Sequence, residues 1–154
     1  GNRADSAALV YQVDYVLDGY VKKAGTNFVL SVGRLIGSQP ELKGEQRLRK
    51  EDIYWEMPRC YQWDITVNLP EGYRISPEGL ERLNVKVENA FIVQATTEDG
   101  TLRIKAEKRI NHKTEPVANW EKLLEITDAA NSYEALSIVF QATINPPTSP
   151  TTGY

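Results

Sequence analysis

The fold is decided by a stretch in the middle of the chain where apolar and polar residues alternate, Tyr61-Gln62-Trp63-Asp64-Ile65-Thr66-Val67-Asn68-Leu69. Successive side chains of a β-strand point to opposite faces of a sheet, so the apolar residues of this stretch share one face. Pro70 follows directly and ends the strand, because it has no backbone N–H to donate to a neighbouring strand. The stretch therefore predicts a strand whose Trp63 packs in the core.

The same alternation recurs on both sides of this stretch. It predicts further strands over Leu9 to Leu17, at Phe28, Leu30 and Val32, at Leu83, Val85 and Val87, at Phe91, Val93 and Ala95, and at Leu102, Ile104 and Ala106. Asp18-Gly19 predicts a tight hairpin turn that leads into Tyr20-Val21-Lys22, and Glu98-Asp99-Gly100-Thr101 predicts a second turn. Strands joined by short turns favour an antiparallel sheet.

One helix interrupts the strands. Pro116 suits a first helical turn, apolar residues follow at helical spacing as far as Ala130, and Asn131 can take the left-handed conformation that ends a helix. A last apolar strand follows at Leu136 to Phe140. We therefore predict a mainly β fold, an antiparallel β-sandwich in which one helix over residues 116–131 covers an edge or an open end.

The chain divides into a core and two arms. We expect a flexible N-terminal arm over residues 1–8, a single β-sandwich domain over residues 9–144, and a flexible Pro/Thr-rich tail over residues 145–154. The irregular stretch over residues 37–52 is read as a long connection or an edge strand, and its cluster Arg47-Leu48-Arg49-Lys50 as a solvated face. Gly33 and Gly37 are read as a bend or bulge at a strand end.

Composition excludes several classes of function. The 154 residues include 18 Lys and Arg against 21 Asp and Glu, a net charge of −3 that gives no reason to expect a nucleic-acid partner. No apolar run approaches the roughly 20 residues of a membrane-spanning helix, so we expect no membrane insertion. One Cys and one His argue against a disulfide framework and against a metal site built from these residues. We predict no cofactor.

The sequence offers weak candidates for catalysis. Cys60 would need a base within hydrogen-bond reach, and the imidazole of His112 is the one that the chain can supply. Cys60 directly precedes a strand rather than opening a helix, where its pKa would be lowered. No nucleophile elbow of the G-x-S-x-G type is present. We therefore expect no catalytic residue and no enzyme, and keep a Cys60–His112 hydrolase as the third hypothesis.

Tyr54 and Trp55 are the candidate binding residues. Neighbours in a strand point to opposite faces, so one of these two rings is expected to be exposed. An exposed aromatic ring on a sandwich can stack on a sugar or on a partner protein. A glycan- or peptide-binding module is therefore one hypothesis, and an open sheet edge that binds an extended peptide by strand addition is a variant of it.

Several runs of the sequence, in order, resemble a known family. They are Ala24-Gly25, Val32-Gly33-Arg34-Leu35-Ile36-Gly37-Ser38-Gln39, Arg47-Leu48-Arg49-Lys50-Glu51-Asp52-Ile53-Tyr54, Met57-Pro58-Arg59, Asn68-Leu69-Pro70-Glu71-Gly72-Tyr73, and Trp120 with Asp128-Ala129-Ala130. Together they resemble the C-terminal β-rich domain of unknown function in transglutaminase-like cell-envelope proteins of Bacteroidetes. The resemblance extends from Leu9 to Ala142 and is strongest at Leu69 to Tyr73 and in the final helix and strand.

The resemblance implies a role inside a longer chain. In that family a β-rich domain and a papain-like transglutaminase core precede this domain, and the catalytic Cys, His and Asp belong to the core. The leading hypothesis is therefore a non-catalytic accessory domain that packs against such a core or a protein partner. The resemblance also implies export to the cell envelope, with the export signal on a part of the protein outside this sequence.

Overall fold

The computed structural model describes residues 12, 14 and 16–143. The predicted N-terminal arm, the predicted C-terminal tail and most of the predicted strand from Leu9 to Leu17 lie outside the described residues. Asp18 and Gly19 form a turn ahead of the first described strand, so the turn is present but its hairpin partner falls on residues that are not described.

The described part of the chain contains ten strands, two α-helices and three 3₁₀ turns. The strands are β1 (Val21–Ala24), β2 (Asn27–Leu30), β3 (Ile53–Tyr54), β4 (Arg59–Asn68), β5 (Tyr73–Ile75), β6 (Val85–Val87), β7 (Phe91–Glu98), β8 (Thr101–Ile110), β9 (Thr114–Glu115) and β10 (Ile138–Ala142). The α-helices are α1 (Pro77–Arg82) and α2 (Trp120–Glu134), and the 3₁₀ turns are Val32–Ile36, Gly44–Arg47 and Val117–Asn119.

The strands form two larger antiparallel sheets and a small one. The first sheet has the order β1-β2-β10-β5 and the second the order β4-β8-β7-β6, while β3 and β9 pair with each other. The alternating residues from Tyr61 to Asn68 lie in β4, which pairs with β8 along its whole length, from Arg59 opposite Ile110 to Asn68 opposite Thr101. The prediction of a mainly β, antiparallel, sandwich-like fold is confirmed.

The core lies between the two larger sheets and α2. Leu30 and Phe140 from the first sheet, Phe91 and Ile104 from the second, and Tyr133 from α2 belong to one cluster of buried side chains. The rings of Phe91 and Tyr133 meet edge to face, with centroids 6.0 Å apart. The helix α2 contacts β6, an edge strand, and β7 beside it. Trp63 packs partly buried against this cluster, as predicted.

The predicted end of the helix at Asn131 is wrong. The helix α2 continues to Glu134, because Tyr133 still faces the core and is 1% exposed. The start also differs, since Pro116 precedes the 3₁₀ turn Val117–Asn119 and the α-helix begins at Trp120. The helical periodicity was thus a better guide to the helix than its flanking residues.

Two strand predictions are too long, and one helix was missed. Val32 is buried in a 3₁₀ turn rather than in a strand, and Leu83 follows α1 instead of opening β6. The missed helix α1 starts with Pro77 in its first turn, and the hydroxyl of Ser76 accepts a hydrogen bond from the N–H of Gly79 at 3.0 Å. Ser followed by Pro is a signal for the start of a helix. It was missed because the alternation of Leu83, Val85 and Val87 predicted a strand directly after it.

The turn predicted at Glu98 to Thr101 is present and joins β7 to β8. Asp99 and Gly100 both have positive φ, 48° and 74°, which matches the twist of a two-residue hairpin. No helix among the described residues is long and apolar enough to cross a membrane.

Candidate ligand-binding site

A cavity of about 800 Å³ opens at one end of the second sheet. One wall is formed by the first residues of β4 and the last residues of β8, and a second by the N-terminal half of α2. The third wall belongs to the segment over residues 37–52, which we call the strap. β3 and Trp55 complete the lining. Its volume is typical of pockets that hold one small organic molecule.

Five aromatic side chains line the cavity. All three Trp residues of the chain line the cavity, Trp55 after β3, Trp63 on β4 and Trp120 at the start of α2. Tyr61 stacks on Trp63, with centroids 6.0 Å apart and an interplanar angle of 17°. Tyr61 is 40% exposed. The apolar face predicted for β4 therefore lines the cavity at the start of the strand instead of packing in the core.

Tyr54 and Trp55, the candidates from sequence, both line this cavity. The ring of Tyr54 is exposed, with the ammonium of Lys113 5.4 Å from its centroid. Trp55 is half-buried, and its backbone N–H donates to the carbonyl of Lys113 at 2.7 Å. Among the described residues no acceptor is placed for the buried indole N–H of Trp55. A buried donor without an acceptor costs free energy, so this indole N–H is an unfavourable feature of the fold itself.

Lys108 is the most unusual residue of the lining. It lies on the core-facing side of β8, is only 9% exposed, and its ammonium donates to the amide oxygen of Gln39 at 3.1 Å. No carboxylate in the described part of the chain forms an ion pair with it. Burial lowers the pKa of the Lys108 ammonium, because a charge away from water is disfavoured. The fold therefore holds a poorly compensated positive charge at the cavity.

Three further cations line the cavity at its exposed side. Arg49 lies over the ring of Trp120, with its guanidinium carbon 5.5 Å from the centroid. Arg59 donates to the hydroxyl of Tyr61 at 3.3 Å, and this hydrogen bond raises the pKa of Arg59. Arg109 is ion-paired with Glu107, which itself is not part of the lining. Among the described residues that line the cavity there is no Asp or Glu.

The strap is fastened to α2 near its start and again at Arg47. The backbone N–H of Gln39 donates to the carboxylate of Glu134 at 2.6 Å. Arg47 donates two hydrogen bonds to Asp128, at 2.8 and 2.7 Å, and its backbone carbonyl accepts from the indole of Trp120 at 2.7 Å. The charge of Arg47 thus keeps contact with solvent, as expected for this segment, and also forms a specific pair whose geometry is the bidentate one that Arg and a carboxylate favour.

This pair shifts the titration of both partners. The hydrogen bond from Arg47 lowers the pKa of Asp128, and the same bond raises the pKa of Arg47. Both side chains keep partial contact with solvent, so water and salt screen the pair. Its main effect is geometric, because it sets where the strap runs along the helix.

The residues of the hydrolase hypothesis lie elsewhere. Cys60 is exposed on β4 with its backbone opposite Arg109, and His112 lies in the loop between β8 and β9. The structure places no hydrogen bond between these two described residues, and neither lines the cavity. In the part of the chain that is described, no group of three or more His, Cys, Asp or Glu is placed to hold a metal ion.

Lys108 was missed in the sequence, although a signal for it exists. The alternation that predicts Leu102, Ile104 and Ala106 on one face of a strand continues to Lys108 at the next position of that face. A charged residue that continues an apolar face is unusual, because burial of an ammonium is costly. What the sequence could not supply is the neighbour of Lys108, since Gln39 is 69 positions away.

No protein-family model matches the chain, and neither a curated protein nor a solved structure matches it.

Proposed function

We propose that this domain is a non-enzymatic binding module that holds a small organic ligand in the cavity between β4, β8, α2 and the strap. The observation that carries the proposal is the convergence of all three Trp residues on that one cavity. Aromatic rings give large contact areas at a small entropic cost, so they dominate the energetics of many binding sites. The glycan or peptide hypothesis named Tyr54 and Trp55, and both residues belong to this lining.

The lining carries polar groups that suit binding. Its polar side chains include the amides of Gln39 and Gln46 and the hydroxyl of Thr127, which orient a ligand through hydrogen bonds. Among the described lining residues there is no His, Cys, Asp or Glu that could act as a nucleophile's base.

We further propose that the module serves a longer cell-envelope protein. On this proposal it recognises a ligand or partner next to a transglutaminase-like core, and the chemistry belongs to that core. The support for this part is the resemblance in sequence, from Leu9 to Ala142. Its test is to express the full-length parent protein with and without this domain and to compare ligand binding by the two proteins in solution.

Binding in the cavity can be tested with a neutral fluorescent probe. N-phenyl-1-naphthylamine has a flat apolar ring system, and its emission rises when it leaves water. We expect it to bind the wild-type domain with saturation, and Trp55→Ala to weaken this binding about tenfold or more, as for a central aromatic contact. Emission from the three Trp residues should change over the same concentration range, because all of them line the site.

Leu48→Ala is the matched control. Leu48 is 77% exposed on the strap and does not line the cavity, so its removal deletes an exposed apolar side chain beside the site without touching the site. The control should bind like the wild type. Failure of the probe to saturate the wild type, or equal binding by Trp55→Ala and the wild type, would contradict the proposal.

A second candidate is peptide binding by strand addition. β4 is an edge strand of the second sheet, and among the described strands it pairs with β8 alone. Tyr61 and Trp63 of the same strand line the cavity, so a peptide added along β4 would run past the aromatic wall. Slower amide hydrogen exchange along β4 in the presence of an extended peptide would support this candidate, and unchanged exchange would argue against it.

A further inference from the structure

The charge of the cavity is opposite to that of the chain. The whole sequence carries a net charge of −3, yet the charged residues among the described lining are all cations, Arg49, Arg59, Lys108 and Arg109. A protein with this excess of acidic residues repels small anions on average. The cavity therefore differs in charge from the chain as a whole.

Lys108 is the group of the lining with the least compensation. Arg59 donates to Tyr61, Arg109 is paired with Glu107 and Arg49 lies over Trp120, whereas Lys108 has a single neutral acceptor, the amide of Gln39. An ammonium has three N–H donors, so most of its hydrogen-bonding capacity is unused among the described residues. Lys108 is also the most buried of the four.

The arrangement has an alternative, purely structural explanation. Lys108 could serve only to hold Gln39, and through it the strap, against β8. That role asks for one hydrogen bond, which a neutral side chain supplies at a lower desolvation cost than a buried charge. A buried ammonium that lines a cavity and has one neutral acceptor is instead explained by a further acceptor that a ligand brings.

We propose that the ligand of this cavity is a small aromatic or similarly flat apolar molecule that carries a carboxylate, and that Lys108 receives the carboxylate. This inference rests on the proposed function, since it names the chemistry of the ligand for the same site. The ring system packs among Trp55, Trp63 and Trp120, and the carboxylate compensates the buried ammonium. The volume of about 800 Å³ is sufficient for one such molecule.

The test compares two competitors that differ in charge and hardly in shape. Naphthalene-2-carboxylate and naphthalene-2-carboxamide are each used to displace N-phenyl-1-naphthylamine from the wild-type domain at low ionic strength. We expect the carboxylate to displace the probe at a concentration about tenfold or more below that of the carboxamide. Equal displacement by the two competitors would overturn the inference while the proposed function stands, because the neutral probe would still bind.

The role of Lys108 is tested with Lys108→Met, which keeps the length of the side chain and removes its charge. We expect the preference for the carboxylate to disappear and the affinity for the carboxamide to stay within about threefold of the wild type. Lys105→Met is the matched control, since Lys105 lies on the same strand but on its exposed face. A preference that persists in Lys108→Met, or one that is lost equally in Lys105→Met, would overturn the assignment.

The wild-type comparison is independent of whether Lys108→Met folds. As a further variant, Arg49→Met removes an exposed cation of the lining, and we expect it to reduce the preference for the carboxylate by less than Lys108→Met does. If Arg49→Met reduced the preference for the carboxylate more than Lys108→Met does, the carboxylate would bind nearer to Arg49. That result would overturn the assignment of Lys108.

Discussion

The two halves of α2 face different surroundings. The C-terminal half is close-packed: Ala130 and Tyr133 are 0% and 1% exposed, and the backbone of Gly33 lies directly against the carbonyl of Tyr133. In the N-terminal half, Trp120, Leu123 and Thr127 are only partly buried and line the cavity. One helix thus joins a dense core to an open aromatic site. Close packing at one end positions the helix so that its other end can stand away from the sheet.

This division separates stability from recognition. Substitutions at the core-facing positions of the C-terminal half should change the free energy of unfolding and leave ligand preference unchanged, because these side chains do not line the cavity. Substitutions around the N-terminal half should have the opposite effect. Three variants test the division, and they are given in order of decreasing expected effect.

Gly33→Ala should have the largest effect. A Cβ atom at Gly33 would lie 1.8 Å from the carbonyl oxygen of Tyr133 and 2.6 Å from that of Glu134, so the 3₁₀ turn and the helix would have to separate. The N–H of Gly33 also donates to the carbonyl of Leu136 at 3.0 Å, and separation would break this bond. We expect a loss of about 3 kcal/mol or more in the free energy of unfolding, measured by urea denaturation.

Gly25→Ala is the control for Gly33→Ala. Gly25 has φ of 63°, and a Cβ atom there would meet no other atom within 4 Å. Alanine at this position therefore meets only the conformational cost of the left-handed region, about 1 kcal/mol. Equal losses for the two variants would mean that the close approach at Gly33 relaxes easily. In that case the dense end of α2 would not be what positions the cavity end.

Tyr133→Phe should have a smaller effect of the opposite sign. The hydroxyl of Tyr133 is buried, and no hydrogen-bond partner is placed for it among the described residues. Burial raises the pKa of this hydroxyl, which fits its apolar surroundings beside Phe91. Removal of an unpaired buried hydroxyl should stabilise the domain by about 1 kcal/mol, visible as an increase of a few degrees in Tm.

Tyr73→Phe is the matched control for this change. The hydroxyl of Tyr73 donates to the carbonyl of Thr26 at 3.2 Å, so its removal deletes a hydrogen bond that is made. We expect a small decrease in Tm for Tyr73→Phe. Decreases of similar size in both variants would show that the hydroxyl of Tyr133 has a partner in solution.

The same contrast explains how far the sequence alone could reach. Alternation over Tyr61 to Leu69 and over Phe91 to Ala106 predicts β4, β7 and β8 and the turn between the last two, because these features depend on neighbours in the chain. The cavity depends on distant pairs. Arg47 and Asp128 are 81 positions apart, and neither position carries a local sign of the other. Sequence could therefore nominate Tyr54 and Trp55 as binding residues without indicating the site that they share.

Within the strap, the composition of the sequence does not indicate which partners the Arg side chains contact. The run Arg47-Leu48-Arg49-Lys50 is followed by acidic residues, a composition typical of a solvated face. In the structure Leu48 is indeed 77% exposed, but Arg47 points to α2 and Arg49 lies over Trp120. Arg side chains are long and planar, so they contact an acidic or aromatic partner while their neighbours remain in solvent.

Asp128→Asn gives the smallest expected effect and the most specific one. The pKa of Asp128 is lowered in the folded protein, chiefly by the hydrogen bond from Arg47. The contribution of this carboxylate to stability is therefore fully present above its ordinary pKa of 3.8 and is lost as the pH falls through the lowered folded value. Tm should be slightly lower in Asp128→Asn than in the wild type at pH 7, and the two should converge as the pH falls below the lowered folded pKa of Asp128.

The functional consequence of Asp128→Asn completes the comparison. The pair fastens the strap, which is one wall of the cavity, so we expect weaker binding of N-phenyl-1-naphthylamine at pH 7 together with the small loss in Tm. Asp64→Asn, a substitution at an exposed position of β4, serves as the control. We expect it to leave probe binding at pH 7 unchanged and not to reproduce the pH-dependent difference in Tm. A variant that loses stability but binds the probe like the wild type would show that the strap holds its place without Arg47. The position of the strap would then depend on its other two hydrogen bonds to α2, from the N–H of Gln39 to Glu134 and from the indole of Trp120 to the backbone carbonyl of Arg47.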